Sequence, residues 1–395
     1  MRIRHQLASY SPVPAASLTA AFQSVVSSSD ARERLRSELA SEYAADTVVL
    51  TASGTHALQL ALLAAIDRLG KNAIVAIPAF CCFDMATAVV GADVAIALYD
   101  LEPSTLAPDF GSLERALQDG ARVIVIAPLY GVPVDWSEVQ SLASRYDAVV
   151  IEDAAQGHGA SWEGRPLGSL DRLSVLSFGR GKGWSGGGGG ALLLRDVDAD
   201  AVSRTLPPGR VDESRTFAKL TAQWTLGRPA IYGIPRALPL GLGETHYRAP
   251  DPPADMTRAA AAALLASKAA SIAEAEHRRR VATEILEDMV GASNASVISI
   301  PAGGIAGYIR FPVRLSRGME NFSNASDAIA GGIAPTYPVT LAELPQMRTR
   351  IAGRSVANPG ASALVRELVT LPVHSGVTAP ELARNTAMIS KAARM

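Results

Sequence analysis

Between residues 46 and 195, short apolar runs alternate with segments of helix-forming composition, and this alternation constrains the fold more than any other feature. Each apolar run is four to six residues long and rich in β-branched side chains. Runs of this kind, separated by helices, are typical of strands buried on both faces of a mostly parallel sheet. The predicted strands are 73–77, 94–98, 123–127, 148–151 and 173–178, and the predicted helices are 55–68, 110–118 and 136–145.

The pattern changes after residue 195. Residues 196–250 are rich in Pro and Gly, which predicts irregular structure, whereas 256–290 contain neither residue and form the longest helical pattern. Residues 294–395 alternate short strand-like and helical pieces, as in a small α+β domain. A chain of 395 residues is too long for one ordinary core. The sequence therefore predicts a large three-layer α/β/α domain (1–250) and a smaller α+β domain (251–395), linked by the 256–290 helix.

Composition excludes several classes of function. The chain has 37 Lys and Arg against 38 Asp and Glu, so no basic excess indicates a nucleic-acid partner. The two cysteines, Cys81 and Cys82, are adjacent and offer no disulfide framework. The N-terminus lacks the apolar stretch of a signal peptide, and the apolar segment 220–243 is interrupted by Arg and Pro. We therefore expect a cytoplasmic protein with no membrane span.

An acid follows one of the predicted strands. In 149–153 the residues Val-Val-Ile run directly into Glu152 and Asp153. Ligands of open α/β sheets bind at the carboxyl ends of strands, where Asp153 would face them. Gln156, three residues further on, could hydrogen-bond the same ligand. The alternative is that the two acids only cap a following helix.

A lysine and a phosphate-type turn are the other two candidates. Lys182 lies between Gly181 and Gly183 in the loop that follows the 173–178 strand, and an ordinary exposed loop lysine is the alternative. The run Ser53-Gly54-Thr55 precedes the first predicted helix, and such a turn presents backbone N–H groups and a favourable dipole to an anion. Its alternative is a plain N-cap with nothing bound. Ser177, at the end of the strand, is a further candidate phosphate donor.

Together these residues match the needs of pyridoxal 5′-phosphate (PLP). That cofactor requires a lysine for a Schiff base, an acid beside its pyridine nitrogen, donors for its phosphate, and a surface on its ring face. Lys182, Asp153 and the 53–55 turn would supply the first three. The glycine run (186–190) predicts a turn packed close to another backbone or to a ligand. No metal site is predicted.

The order of these motifs resembles that of the DegT/DnrJ/StrS-type aminotransferases, best known for enzymes acting on nucleotide-linked keto-sugars. The resemblance covers nearly the whole chain and implies a fold type I PLP-dependent transferase. The matching stretches are TASGTHALQLAL (51–62), PAFCC (78–82), APLYGVPVDW (127–136), IEDAAQGHGASWEGRPLGSL (151–170), SFGRGKGWSGGGGG (177–190) and LPVHSGV (371–377).

The resemblance implies a role for each matching residue. Lys182 corresponds to the lysine that binds PLP and transfers the proton, Asp153 to the partner of the pyridine nitrogen, and Gln156 to the contact of the phenolic oxygen. His158 matches a histidine common in the family, with either a structural or a catalytic role. A homodimer with shared active sites is also implied. The implied phosphate ligands are Gly54, Thr55 and Ser177.

Several residues depart from the family pattern. Where an aromatic residue usually stacks on the pyridine ring, this chain has Cys82, so either Cys82 or a neighbour, Phe83 or Phe80, covers the ring. The asparagine that usually contacts the partner's phosphate corresponds to His246, and a usual histidine corresponds to Pro128. The 205–243 segment is unlike that of typical sugar enzymes, and substrate-specifying loops are the most variable parts of a fold.

The sequence therefore predicts an aminotransferase that moves an amino group from an amino acid, with glutamate expected, to a keto group of a nucleotide-activated sugar. Lysine at 182 argues against the related dehydratases, which have histidine there. Two alternatives remain: a non-sugar acceptor such as a cyclitol, and a PLP-binding regulatory protein without turnover. The 220–243 segment could also lie on a membrane surface or accept a lipid-linked substrate, although an ordinary interface or pocket loop is the favoured interpretation.

Overall fold

The computed structural model describes residues 4–27, 29–70, 72–197, 212–233, 245–289, 296–352 and 357–394. The strands, in chain order, are β1 (Thr47–Thr51), β2 (Ile74–Pro78), β3 (Ala95–Tyr99), β4 (Ala121–Ile126), β5 (Val149–Asp153), β6 (Ser161–Trp162), β7 (Arg165–Pro166), β8 (Leu173–Ser177), β9 (Gly190–Leu194), β10 (Ser296–Val297), β11 (Gly304–Ile305), β12 (Phe311–Arg314), β13 (Ala334–Pro335) and β14 (Leu368–Leu371).

The α-helices, in the same order, are α1 (Ala15–Val26), α2 (Arg32–Tyr43), α3 (Gly54–Leu69), α4 (Phe83–Ala92), α5 (Phe110–Gln118), α6 (Trp136–Arg145), α7 (Glu213–Leu226), α8 (Arg258–Met289), α9 (Ala325–Ala330), α10 (Pro345–Arg348), α11 (Pro359–Glu367) and α12 (Ala379–Ala393). The predicted strands before residue 180 and the three predicted helices are confirmed, with ends that shift by one or two residues.

A seven-stranded sheet forms the centre of the molecule, in the order β1-β9-β8-β5-β4-β2-β3. Every pair from β8 to β3 is parallel, whereas β9 is antiparallel to both of its neighbours, β8 and β1. The sheet is therefore mostly parallel, as predicted. The last strand of the sheet in sequence, β9, lies beside the first, so residues 47–51 and 190–194 become neighbours.

The strands are buried on both faces. In β4, Val123 and Val125 belong to one apolar cluster, and Ile124 and Ile126 belong to another. The first cluster contains α3, α4 and much of the chain after residue 297; the second contains α2, α5, α6 and the start of α8. Helices therefore cover the sheet on both sides, which gives the predicted three-layer α/β/α arrangement.

The chain beyond the sheet forms a smaller region. Helix α8 matches the predicted 256–290 helix, and it leads to a four-stranded antiparallel sheet in the order β10-β12-β14-β13. Strand β11 instead pairs with β6, so a segment of the predicted small domain joins a hairpin of the large one. The division between residues 250 and 251 stays a prediction.

The 196–250 region was predicted to be irregular throughout, and in part this is wrong. Helix α7 lies within it, because Asp212 caps the first turn through a bond from Arg215 N (2.9 Å), and Leu220 packs fully buried against α1 and α8. Much of the 205–243 segment, including Leu238, Leu240 and Leu242, lies outside the described residues. None of the helices in the described part of the chain has the length and apolar character needed to cross a membrane.

Candidate active site

A cleft opens at the carboxyl ends of β4, β5 and β8, beside the first turns of α3 and α4. Ligands of open α/β sheets bind at this edge, because the loops that follow the strands diverge there. Residues predicted from distant parts of the sequence meet in this cleft. Those that line it are Gly54, Thr55, Cys82, Asp153, Gln156, Ser177 and Lys182.

The phosphate-type turn lies at one end of the cleft. Ser53 Oγ accepts a hydrogen bond from His56 N (3.1 Å), so Ser53 is the N-cap of α3. Gly54 and Thr55, in the first turn of the same helix, face the cleft. Because first-turn N–H groups have no acceptor within the helix, they can bind an anion where the helix dipole favours one.

Glycine is required where this turn meets β8 and β9. A Cβ added to Gly54 would lie 2.5 Å from Ser177 Cβ and 2.7 Å from Ser177 Oγ, so only glycine lets the turn approach Ser177. A Cβ on Gly190 would lie 2.6 Å from Gly54 N, and Gly189 N donates to Ala52 O (2.9 Å). The expectation that the glycine run packs against another backbone is confirmed, and this packing places Gly54 and Ser177 side by side.

Glu152, one of the two acids at the end of β5, points away from the cleft. Its carboxylate is fully buried and accepts hydrogen bonds from Gly168 N (2.5 Å), Leu170 N (2.9 Å) and Ser174 Oγ (2.8 Å). Burial raises the pKa of Glu152, and these bonds and the charge of Arg195 oppose that change. Glu152 therefore holds the 168–170 loop on the far side of the sheet.

Asp153 faces the cleft and has fewer partners. Its Oδ1 accepts one hydrogen bond, from Ala155 N (3.2 Å). Burial raises the pKa of Asp153, the charge of Lys182 lowers it, and Asp84 adds a smaller upward effect. A half-buried carboxylate with one hydrogen bond among the described residues is stabilised by a cationic or proton-donating ligand, which is what a protonated pyridine nitrogen would offer.

The loop that carries Lys182 is fixed at both sides. Gly181 and Gly183 have positive φ values of +78° and +86°, which glycine adopts without strain. Gly183 N donates to Ser11 Oγ (2.9 Å), and the buried Trp184 donates through Nε1 to Leu264 O (3.0 Å). Anchors on both the N-terminal segment and α8 therefore hold the loop while the Lys182 side chain lines the cleft.

His158 packs against the loop that carries Lys182, and its contacts indicate a structural role. A Cβ on Gly183 would lie 2.8 Å from His158 Cδ2, and the His158 ring lies 6.1 Å from that of Trp184. Its Nε2 is 3.2 Å from Ser271 O, to which the neutral ring can donate. Burial, followed by the charge of Arg278, lowers the pKa of His158 to about 4. A neutral imidazole therefore supports the lysine loop from behind.

The Gln156 amide is oriented by two tyrosines. Its Oε1 accepts from Tyr130 N (2.9 Å), and its Nε2 donates to the hydroxyl of Tyr337 (3.0 Å). The second Nε2 proton can then serve a ligand in the cleft. Tyr130 has a left-handed backbone (φ 57°, ψ 14°), which turns its N–H towards Gln156. Tyr337 was not predicted, because it lies far along the chain and outside the family motifs.

Three residues were candidates for covering the ring of the cofactor, and the structure places Cys82 on the wall of the cleft. Burial and the nearby Asp84 raise the pKa of Cys82 to about 12, so the thiol is neutral and can pack against a ring. Phe83 and Phe80 are buried in the core instead, where Phe80 packs edge-on against Tyr337 at 5.1 Å.

His246 is exposed and lies apart from the residues that line this cleft. The neighbouring Arg248 O accepts from Thr87 Oγ1 (2.8 Å), which fixes this segment against α4. The contact of His246 with the phosphate in a partner subunit stays a prediction.

Asp84 is an acidic residue of the cleft that was not predicted from the sequence. It lines the cleft in the first turn of α4, and Cys82 Sγ lies 3.5 Å from its Oδ2. It is the one acid in the otherwise apolar helix FDMATAVVGA, and that isolation was the available signal. The other additional lining residues are Leu58, Met85, Ala127, Pro128 and Ala155.

The arrangement fits PLP. Anion donors lie at one end of the cleft, the under-bonded Asp153 lies at the strand end, and Lys182 lines the same space. The Gly54 contact with Ser177 is a further observation in favour of this fit, because any larger residue would separate the two groups that would hold the phosphate.

Comparison with known proteins gives relatives over parts of the chain. The glutamine:2-deoxy-scyllo-inosose aminotransferase of Streptomyces lividus is 32% identical over 213 residues, which are 51% of this chain and 50% of that protein. The 3-amino-5-hydroxybenzoate synthase of Amycolatopsis mediterranei is 29% identical over 170 residues, 41% of this chain and 42% of that protein. The chain thus spans half or less of the length of these curated relatives.

Solved structures match over almost the whole length. The structure of a DegT/DnrJ/EryC1/StrS aminotransferase from Brucella abortus has a TM-score of 0.73 at 20% identity and covers 94% of each chain. This likeness shows the fold, that of a fold type I PLP-dependent transferase. The model of the DegT/DnrJ/EryC1/StrS aminotransferase family matches residues 15–389. The chain therefore belongs to this PLP-dependent family.

Proposed function

We propose that the protein is a PLP-dependent aminotransferase that moves an amino group from an amino acid to the keto carbon of a hydroxyl-rich ring compound. The observation that carries the proposal is the meeting of Lys182, Asp153 and the Gly54–Ser177 contact in one cleft. When bound, PLP withdraws electrons from the bonds of the amino-bearing carbon and carries the amino group between the two substrates.

Each residue of the chain has a separate task. Lys182 Nζ holds the cofactor between turnovers and removes the proton from the α-carbon of the donor. Asp153 keeps a proton on the pyridine nitrogen, because an adjacent carboxylate stabilises its charged form. Gly54, Thr55 and Ser177 would bind the phosphate, and Gln156 would orient the ring through its second Nε2 proton.

Borohydride reduction followed by peptide mapping tests the site. Reduction of the purified protein should fix a pyridoxyl group on the peptide that contains Lys182, and Lys182→Ala should abolish both labelling and amino transfer. Lys268, which is paired with Glu38 and Glu42, offers a control substitution, Lys268→Ala. A label on any other lysine would refute the assignment.

The acceptor has two candidates. A cyclitol ketone is supported by the relatives that act on inososes, and L-glutamine is the donor named for them. A nucleotide-linked keto-sugar is supported by the resemblance of the site motifs to the sugar enzymes. We place the cyclitol first, since the inosose aminotransferase of Streptomyces lividus is 32% identical over the region it matches, whereas the Brucella abortus structure is 20% identical. Amination of a nucleotide keto-sugar but not of a free inosose would reverse this order.

The proposal includes a homodimer. His246 is exposed in this chain, and it would reach the phosphate site of the partner if the two active sites are shared. Sedimentation of the protein with cofactor, combined with cofactor titration of His246→Ala, tests this arrangement. A monomer with full cofactor affinity would exclude it.

A further inference from the structure

Among the described residues that line the cleft, Asp84 is the polar side chain that has no task in holding the cofactor. Every other polar side chain of the lining has a proposed contact with PLP, and these side chains are Thr55, Cys82, Asp153, Gln156, Ser177 and Lys182. The rest of the lining consists of Leu58, Met85 and small residues without polar side chains. Asp84 is therefore available to bind a group of a substrate.

The carboxylate of Asp84 has little to bind within the chain. Its side chain is exposed, and its one contact in the described part of the chain is with the thiol of Cys82, whose Sγ lies 3.5 Å from Asp84 Oδ2. A thiol is a weak donor, so most of the acceptor capacity of this carboxylate is unused. Asp93, at the other end of α4, is instead paired with Arg350 at 2.8 Å.

Helix α4 holds Asp84 in a fixed place beside the cofactor site. Asp84 lies in the first turn, and its sequence neighbours Phe83 and Met85 are both buried. One turn further on, Thr87 Oγ1 donates a hydrogen bond to Arg248 O (2.8 Å). The backbone that carries the carboxylate is therefore anchored by the core, while the side chain faces the cleft.

We propose that Asp84 accepts hydrogen bonds from ring hydroxyls of the keto acceptor and so selects a hydroxyl-rich ring ketone. Hydroxyls form short, charge-assisted hydrogen bonds to a carboxylate, and its two oxygens can serve neighbouring hydroxyls of one ring. Such bonds would fix the direction in which the keto carbon faces Lys182. A ketone without hydroxyls would displace water from the carboxylate and return no hydrogen bond, which disfavours its binding. The inference rests on the proposed aminotransferase activity and names a residue that recognises its acceptor.

The acceptor half-reaction isolates this contact. Wild type, Asp84→Asn and Asp84→Ala are converted to the pyridoxamine form with L-glutamine, freed of donor, and mixed with 2-deoxy-scyllo-inosose or with cyclohexanone, which has the same ring and keto group without hydroxyls. The second-order rate constant for the inosose should fall about 10- to 100-fold in Asp84→Ala. It should fall less in Asp84→Asn, which keeps an acceptor oxygen. The rate constant for cyclohexanone should not fall in either variant.

Glu138 provides a matched control for the effect on the helix. It lies in the first turn of α6, as Asp84 does in α4, and it is exposed and apart from the residues that line the cleft. An acid in a first turn is favoured by the helix dipole, so Glu138→Ala removes the same structural contribution as Asp84→Ala. Glu138→Ala should react with the inosose at the wild-type rate. Urea denaturation shows that each variant is folded.

An unreactive polyol gives a measurement that does not depend on turnover. scyllo-Inositol has the ring hydroxyls and no keto group, and calorimetry measures its Kd for the pyridoxamine form. This Kd should rise about 10- to 100-fold in Asp84→Ala. Conversion of the cofactor-loaded variants by L-glutamine should proceed as in the wild type, because the donor half-reaction involves no ring hydroxyl.

Three results would overturn the proposal. They are an unchanged rate constant for the inosose in Asp84→Ala, an equal fall with cyclohexanone, and an equal fall in the donor half-reaction. Equal falls would mean that Asp84 acts on the cofactor through Cys82. If the wild type converts a nucleotide-linked keto-sugar and no inosose, the same comparison with that sugar decides, since its ring also carries hydroxyls. Failure of the proposed function itself gives a different result, because the wild type would then convert with no amino donor.

Discussion

Glu152 and Asp153 are consecutive residues at the end of one strand, and their carboxylates lie in different surroundings. Glu152 is enclosed on the far side of the sheet, where it accepts three hydrogen bonds. Asp153 projects into the cleft and accepts one. Burial is the largest influence on the pKa of both residues, and it raises each.

The difference lies in what offsets this burial. Around Glu152 the chain supplies two backbone donors, a hydroxyl and Arg195, so this acid is complete within the chain. Around Asp153 it supplies one backbone donor and the charge of Lys182. An acid that the fold leaves incomplete is available to a ligand, and an acid that the fold completes is part of the scaffold.

Removal of the scaffold acid should have the largest effect. Glu152→Ala leaves Gly168 N and Leu170 N without this acceptor and removes the acid with the largest effect on Arg195. The free energy of unfolding should fall by about 3–5 kcal/mol, measured by urea denaturation. Glu152→Gln, which keeps an acceptor oxygen, should lose less. Equal stability of Glu152→Ala and wild type would remove the distinction between the two acids.

The matching substitution in the cleft should change activity rather than stability. Asp153→Asn removes the charge that would hold the pyridine proton, so the rate of amino transfer should fall about 10²–10³-fold. The cofactor-free protein should be as stable as wild type or more stable, because a buried charge with few partners is removed. Steady-state kinetics and urea denaturation measure the two effects. A variant with full activity would contradict the assignment of Asp153.

A third buried ionisable group is His158, which packs against the loop that carries Lys182, and it should make stability depend on pH. Since the pKa of His158 falls from 6.5 to about 4 on folding, its contribution is present above pH 6.5 and is lost as pH falls towards 4. Over this window the wild type should lose at most about 3 kcal/mol through this residue. His158→Gln, which stays neutral, should show a flatter profile. Identical profiles would mean that His158 is not held neutral by burial.

The smallest effect is expected at the hydroxyl that orients Gln156. Tyr337→Phe removes one hydrogen bond, of about 0.5–1.5 kcal/mol, and keeps the ring packing with Phe80 and Tyr130. The Kd for PLP should rise about 2- to 10-fold, as measured by fluorescence titration. Tyr308→Phe, three residues before β12, is the control. No change in Kd would indicate that Gln156 holds its orientation through Tyr130 alone.

Much of this organisation could be predicted from local pattern. Several buried strands contain an uninterrupted apolar run, as in 123–126, and the length and composition of such a run are enough to recognise it. Asp153 and Lys182 each follow such a run, so their place at the carboxyl edge of the sheet followed from the strands. Of the two acids at this strand end, Asp153 was chosen from its position, and the resemblance supported the same residue.

Other features depend on contacts that no local pattern records. Helix α7 was missed because the Pro and Gly residues around 205–210 and 227–235 dominated the composition of a region that also contains a capped helix. Tyr337 follows β13 of the small sheet, and it meets Gln156 only through the tertiary fold. The insertion of β9 between β1 and β8 was likewise invisible, because strand order depends on tertiary pairing.

The place of β9 in the sheet has a consequence for how the protein is made. The turn at 53–55 leaves the ribosome long before Ser177 and Lys182, and it meets them only when residues 190–194 enter between β1 and β8. Until then β1 has no partner on that side, and pairing over so large a sequence separation is slow. We therefore expect the cofactor site to be completed late in folding, once β9 has paired with β1 and β8.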